Sequence, residues 1–118
     1  MKKVYIIVSI LFFSLMTFAQ SGTQFMDNRP WQEVLQRAQR ENKLIFVDCY
    51  TSWCGPCKKL AAEVFTRKDV GDYVNKKFVS VKYDVEKPNG LEFARKYRDQ
   101  ISAFPTLLLI RQDGSIMQ

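Results

Sequence analysis

The strongest constraint on the fold is a short, continuous apolar run, Leu44 to Val47, that is soon followed by two closely spaced cysteines. A run this short, with no polar residue to face water, is typical of a strand buried on both faces of a sheet. Segments with apolar residues at helical spacing lie on either side of it, at residues 30–42 and 57–65. This alternation favours an α/β fold.

The rest of the chain continues the alternation of strands and helices. The predicted elements are strands at residues 78–85 and 106–110, helices at residues 69–77 and 89–97, the latter capped by Asn89, and a hairpin turn at Asp113 and Gly114 that leads into residues 115–117. Together these elements predict one α/β domain with a mixed central sheet flanked by helices.

The first nineteen residues have the pattern of a secretory signal peptide. Two lysines give a basic start, an almost wholly apolar stretch follows at residues 4–18, and small side chains stand at Thr17 and Ala19, where a signal peptidase reads the chain. An apolar stretch of about 15 residues falls short of the roughly 20 that span a bilayer, so a membrane anchor is less favoured. We expect cleavage near Ala19, which would leave residues 20–118 as an exported, periplasmic domain.

Composition and charge exclude several classes of protein. Hydrophobic residues make up 47% of the chain, which excludes a disordered or low-complexity protein. The net charge of +6 comes from basic residues that lie beside acidic ones in several segments, so we predict a solvated surface and no nucleic-acid site. The chain has no His, the commonest metal ligand, and no feature suggests a bound metal or organic cofactor.

The chemistry of the chain is expected at Cys54 and Cys57. They are three positions apart where the buried strand gives way to a helix, which puts both sulfurs on the first helical turn, within disulfide reach. The partial positive charge and unpaired N–H groups of a helix N-terminus favour thiolate over thiol. Gly55 and Pro56 are expected to make the tight turn possible. We expect Cys54 to be the exposed nucleophile and Cys57 to be the resolving thiol.

Three other uses of such a cysteine pair are less favoured. A structural zinc site needs two more ligands, but only Cys49 remains and there is no His. Covalent haem attachment needs His after the second cysteine, where this chain has Lys58. An inert structural disulfide is the third alternative, although so small a loop gains little from chain entropy.

The motif WCGPC at residues 53–57 resembles the signature of the thioredoxin superfamily, and FPT at residues 104–106 resembles its cis-proline loop before a strand. The resemblance runs from about Phe25 to Gln118 and implies a thioredoxin-like fold. In detail the chain looks closer to exported thioredoxin-like proteins related to the C-terminal domain of the periplasmic transmembrane thiol–disulfide interchange protein. The shared features are the opening helix at Trp31 and the segments at residues 41–43, 64–65 and 81–85.

The resemblance also implies roles for a buried acid and a lysine. Asp48 lies six residues before Cys54 and matches the family's acid that relays protons, through water, to and from Cys57. A buried carboxylate is costly unless it is paired or used, and the alternative is a polar strand end that bonds nearby backbone. Lys82 matches the lysine that approaches this acid and tunes its pKa, with an exposed strand lysine as the alternative.

Substrate binding is implied by the same resemblance. Pro105 is expected to be cis and to face the two sulfurs, with a trans proline at a strand start as the alternative. Phe104 and Thr106 would offer backbone groups to an extended substrate segment. Trp53 is expected to contact substrates, with partial core packing as its alternative, and Cys49 to pack as a small hydrophobe. The implied substrate-binding residues are Trp53, Gly55, Pro56, Phe104, Pro105 and Thr106.

These roles imply a thiol–disulfide oxidoreductase that reduces protein disulfides outside the cytoplasm, with Cys54–Cys57 as its redox-active disulfide and no cofactor. The Gly-Pro pair between the cysteines resembles the reducing members of the superfamily. Because an exported reductant needs electrons from across the membrane, we expect a membrane thiol–disulfide donor as a partner, besides protein substrates. Two alternatives stay open: a disulfide oxidase or isomerase, and a non-catalytic thioredoxin-like binding module.

The C-terminal end departs from the family pattern. After Asp113 and Gly114 the family continues through a full last strand and a C-terminal helix, but this sequence stops at Gln118. We therefore expect a domain that lacks the C-terminal helix and leaves apolar sheet surface uncovered, as in a truncated copy. The alternative is that a partner or a second subunit fills this gap.

Overall fold

The apolar run at residues 44–47 forms the first half of a central strand. The computed structural model describes residues 21–117, and in it strand β2 spans Leu44–Tyr50. It pairs in parallel with β3 (Phe78–Asp84) and antiparallel with β4 (Thr106–Ile110). A short strand, β1 (Phe25–Asp27), pairs in parallel with β3, so the strand order is β1-β3-β2-β4. The predicted mixed α/β sheet is confirmed.

Four helices accompany these strands in the described part of the chain. They are α1 (Trp31–Glu41), α2 (Gly55–Glu63), α3 (Lys68–Lys77) and α4 (Pro88–Lys96). α1 follows Pro30, whose fixed φ suits a helix start. It ends at Asn42, which adopts a left-handed conformation with φ 50° and donates its N–H to helix carbonyls. The predicted helical segments are therefore all present.

Two sequence expectations differ from the structure in detail, and one strand was not predicted. α3 begins at Lys68, one position before the predicted start, and has ten residues. Asn89 does not cap α4, because the helix begins earlier at Pro88 with Lys87 as N-cap, and the Asn89 side chain instead donates to the Asn28 carbonyl at 2.9 Å. β1 is too short, at three residues, to show a recognisable period in the sequence.

The two faces of β2 pack against different helices. Ile45, Val47 and Cys49 are fully buried in a core shared with residues of α1 and α4, such as Val34 and Phe93. The alternate side chain Phe46 contacts three aromatic rings on the opposite face, those of Phe25, Phe65 and Phe78. β2 is thus buried on both sides, as its uninterrupted apolar run predicts.

After β4 the described chain makes the predicted turn. Gly114 adopts φ 88°, and an antiparallel bridge joins Ile110 to Ile116, so residues 115–117 pair only briefly. No helix follows β4 within residues 21–117. A groove of about 390 Å³ runs along this part of the sheet and includes Leu107, of which 44% is exposed. Some apolar sheet surface is therefore open to solvent.

The predicted signal peptide at residues 1–19 lies outside the described residues. In residues 21–117, no helix has the length and apolar character needed to cross a membrane.

Candidate active site

The two cysteines are joined in a disulfide at the start of α2. Their Cα atoms are 5.3 Å apart, which is the usual separation for a disulfide. Cys54 is the N-cap of the helix, and its sulfur accepts a hydrogen bond from the Cys57 N–H at 3.2 Å. The sulfur therefore occupies the place that an N-cap oxygen normally takes, where a thiolate formed on reduction would meet the positive end of the helix.

The expected exposure of Cys54 is wrong for the disulfide form. Only 4% of Cys54 and 6% of Cys57 are accessible to solvent. The reason is the capping geometry, because the Cys54 side chain folds back over the first helical turn to reach the Cys57 N–H. What is exposed beside the disulfide is the aromatic ring of Trp53.

The prediction that Gly55 makes a tight turn possible is also wrong. Gly55 has no positive φ, and a Cβ placed on it would meet no atom within 4 Å. Pro56 lies in the first turn of α2, where its missing N–H costs nothing. The turn therefore depends on the ordinary helical start, and Gly55 leaves open space beside the disulfide.

Asp48 lines a cavity of about 210 Å³ that Cys57 and Lys82 also line. Only 6% of Asp48 is exposed, and its Oδ1 has no hydrogen-bond partner among the described residues. Burial disfavours the charged carboxylate and raises the pKa of Asp48 to about 6, against an opposing effect of the Lys82 charge. Such an acid can accept and release a proton near neutral pH.

Lys82 is half-buried on β3 and stands opposite Asp48 in the strand register. Its positive charge lowers the pKa of Asp48, although burial outweighs this effect. The structure therefore brings together Asp48, Lys82 and Cys57, which are widely separated in the sequence.

Cys49 lies on the other face of the strand from Asp48, in the core. It is fully buried and carries no disulfide. Burial, with a smaller effect of the Asp48 charge, raises the pKa of its thiol to about 12, so it stays protonated. Its expected role as a small hydrophobe is consistent with this position.

Trp53 and Phe104 form an aromatic pair beside the disulfide. Their ring centroids are 6.4 Å apart and the rings are perpendicular. Trp53 is 68% exposed, so partial core packing does not describe it. Its indole Nε1 donates a hydrogen bond to Glu86 Oε1 at 2.5 Å.

The loop before β4 completes the site. The Phe104–Pro105 peptide bond is cis. Pro105 and Pro56 line one groove of about 290 Å³ together with residues of α2. Thr106 begins β4 opposite Cys49 of β2, and this pairing holds the loop beside the start of α2.

Two residues of the site have no signal in the sequence. Thr51 is 2% exposed and lines the cavity shared by Asp48 and Cys57, but a single Thr between a strand and a helix resembles any loop residue. Glu86 meets Trp53 across 33 positions of sequence, so only the fold reveals the contact. Within residues 21–117, no group of three or more His, Cys, Asp or Glu side chains is placed to hold a metal ion.

The comparisons with known proteins agree with this geometry. A family model for the thioredoxin-like domain matches residues 31–118. A thioredoxin from Echinococcus granulosus is 35% identical over 84 residues, which cover 71% of each chain. A protein disulfide-isomerase from Datisca glomerata is 30% identical over 78 residues, 66% of this chain and 15% of that protein.

A solved structure is also similar to this chain. A Bacteroides thetaiotaomicron protein described as a disulphide isomerase is 46% identical, with a TM-score of 0.69, and the match covers 81% of this chain and 77% of that one. With its cysteine pair at the start of α2 and a family match over most of its length, this chain belongs to the thioredoxin-like family of thiol–disulfide oxidoreductases.

Proposed function

We propose that this protein is an exported reductase of protein disulfides that works through Cys54 and Cys57. The observation that carries this proposal is the cavity that Asp48 shares with Cys57, because it gives the resolving thiol a proton acceptor that titrates near neutral pH. A disulfide with a purely structural role would have no use for such a costly buried acid.

The reaction begins from the reduced protein. The Cys54 thiolate attacks one sulfur of a substrate disulfide, and the other substrate sulfur leaves as a thiolate that takes a proton from water. Cys57 then passes its proton to Asp48 and attacks the Cys54 sulfur, which breaks the mixed disulfide and releases the second substrate sulfur as a thiolate. This thiolate takes a proton from water, and Asp48 returns its proton to the solvent. The substrate gains two electrons, and the protein is left with the Cys54–Cys57 disulfide.

The surface around the disulfide fits an extended substrate segment. Phe104 and Thr106 flank Pro105 and provide backbone groups next to the cysteines, where a substrate can pair as an added strand. Trp53 and Phe104 provide an apolar wall, and the groove between Pro56 and Pro105 continues the surface along α2. In this proposal Lys82 adjusts the proton affinity of Asp48.

Reduction of insulin disulfides tests the proposal. With dithiothreitol as the electron source, the wild-type protein should accelerate insulin precipitation, Cys54→Ser should abolish the acceleration, and Cys49→Ala should retain it as the matched control. Cys57→Ala should accumulate mixed disulfides through Cys54 on non-reducing gels. Absence of these adducts, or full activity of Cys54→Ser, would contradict the assignment and favour a non-catalytic binding module.

Disulfide isomerisation is the second candidate, and the 46% identity to a protein described as a disulphide isomerase favours it. The reduction potential of the Cys54–Cys57 disulfide distinguishes a reductase from an isomerase. A value near that of thioredoxin, about −270 mV, supports a reductase, whereas a value near about −180 mV supports an isomerase. Refolding of a scrambled disulfide protein provides the direct assay for isomerisation.

The proposed location depends on residues 1–19. Their basic start and apolar stretch support export to the periplasm, and cleavage near Ala19 can be read from the N-terminal sequence of the protein recovered from that compartment. A reductase in that compartment requires a membrane thiol–disulfide donor to restore the Cys54–Cys57 dithiol after each turnover.

A further inference from the structure

We infer that Glu86 is a positioning residue that holds the Trp53 ring beside the disulfide and thereby sets the affinity for protein substrates. This inference rests on the proposed function, because it concerns the surface that a substrate protein would contact. It starts from the hydrogen bond of 2.5 Å between Trp53 Nε1 and Glu86 Oε1.

Glu86 can orient the Trp53 ring because hydrogen bonds fix the backbone of Glu86. The buried Asp84 accepts a hydrogen bond from the Glu86 N–H through Oδ1 at 3.0 Å. The Asp84 N–H in turn donates to Asn28 Oδ1 at 2.8 Å, and the Lys87 N–H donates to the Asp84 carbonyl at 3.1 Å. A continuous set of hydrogen bonds therefore joins Asn28, which directly follows β1, to the end of β3 and to the Trp53 indole.

The hydrogen bond orients a side chain that would otherwise be free to move. Trp53 is 68% exposed, and its one aromatic contact among the described residues is the perpendicular ring of Phe104. A hydrogen bond between exposed groups adds little to folding stability, because water competes for both partners. The main effect of the hydrogen bond between Glu86 and Trp53 is therefore to fix the position of the indole ring, next to Cys54 and to the loop at Pro105.

A fixed ring lowers the ordering cost of binding a protein substrate, since a large side chain no longer loses rotational freedom at the interface. A small disulfide that reaches the sulfurs without covering the ring gains nothing from this arrangement. Loss of Glu86 should consequently weaken the binding of a protein substrate and leave the chemical step unchanged.

The test compares Glu86→Ala, Glu86→Gln and the matched control Glu92→Ala, an exposed glutamate of α4. For insulin, Glu86→Ala should raise KM by about three- to tenfold with little change in kcat, as expected when binding must order one more large side chain. Glu86→Gln should restore most of the affinity, because its amide oxygen also accepts from the indole. Rates with bis(2-hydroxyethyl) disulfide should be equal in all variants.

The indole N–H signals of Trp31 and Trp53 provide a structural readout, and only that of Trp53 should shift in Glu86→Ala. An unchanged insulin KM, an unshifted Trp53 signal, or an equal loss of rate with both substrates would overturn the inference. If the wild-type protein does not reduce insulin at all, the proposed function fails. Titration of insulin into each variant then decides the inference: weaker binding by Glu86→Ala supports it, and equal affinity overturns it.

Discussion

Replacing Asp48 with Asn should stabilise the protein at neutral pH. The pKa of this carboxyl is about 6 in the folded protein against an ordinary value of 3.8, because burial disfavours its charge. One pH unit of difference corresponds to 1.36 kcal/mol, so ionised Asp48 costs the fold about 3 kcal/mol above pH 6. An amide of nearly the same volume carries no charge and avoids this cost.

The direction in which the free energy of unfolding changes with pH follows from proton linkage. The folded state holds the Asp48 proton more tightly than the unfolded state does, so the contribution of Asp48 to stability is greatest below pH 3.8 and falls as the pH rises to about 6. The difference in the free energy of unfolding between Asp48→Asn and wild type should grow over this window and then level off. The pH dependence is the informative quantity, because the buried amide has its own hydrogen-bonding cost at every pH.

Urea unfolding of the oxidised protein between about pH 3.5 and about pH 8 measures this dependence. Asp99→Asn serves as the control, since the Asp99 side chain is 91% exposed. A difference between Asp48→Asn and wild type that is the same at every pH would refute the electrostatic reasoning. The same variant should reduce insulin more slowly in spite of its greater stability, because Cys57 loses its proton acceptor.

Three further outcomes are expected. Lys82→Met should raise the pKa of Asp48 further, and a pH profile of insulin reduction should show its acid limb displaced to higher pH. Cys49 should resist alkylation in the native reduced protein and react only in urea, because its thiol is buried with a pKa of about 12; mass spectrometry counts the labels. Gly90→Ala should destabilise the protein by about 1–3 kcal/mol in urea unfolding, because the new Cβ would press on the Asp84 carbonyl.

The order of helices and strands could be predicted from the sequence, because the spacing of apolar residues within each element depends only on neighbouring positions. The apolar run that begins at Leu44 predicts a doubly buried strand, and β2 is buried on both faces. Helical spacing predicted α1, α2, α3 and α4 to within a few residues at each end. The cysteine pair was predictable for a similar reason, since three positions on a first helical turn bring two side chains within bonding reach.

Other features depend on contacts between distant segments. The burial of Cys54 in the disulfide follows from how its side chain caps α2, and sequence spacing alone predicts an exposed thiol there. Gly55 looks necessary in the sequence, yet the structure leaves open space around it. The roles given to Asp48, Lys82 and Pro105 remain predictions about chemistry. The structure shows that Asp48 and Lys82 share a cavity with Cys57 and that Pro105 shares a groove with Pro56.

The order of elements and the position of the cysteine pair are properties of the sequence, because they depend on side chains a few positions apart. The proton affinity of Asp48 and the contact between Trp53 and Glu86 are properties of the tertiary structure. Desolvation depends on everything packed around a carboxyl, and a hydrogen bond across 33 positions exists only once β2, β3 and α2 have assembled.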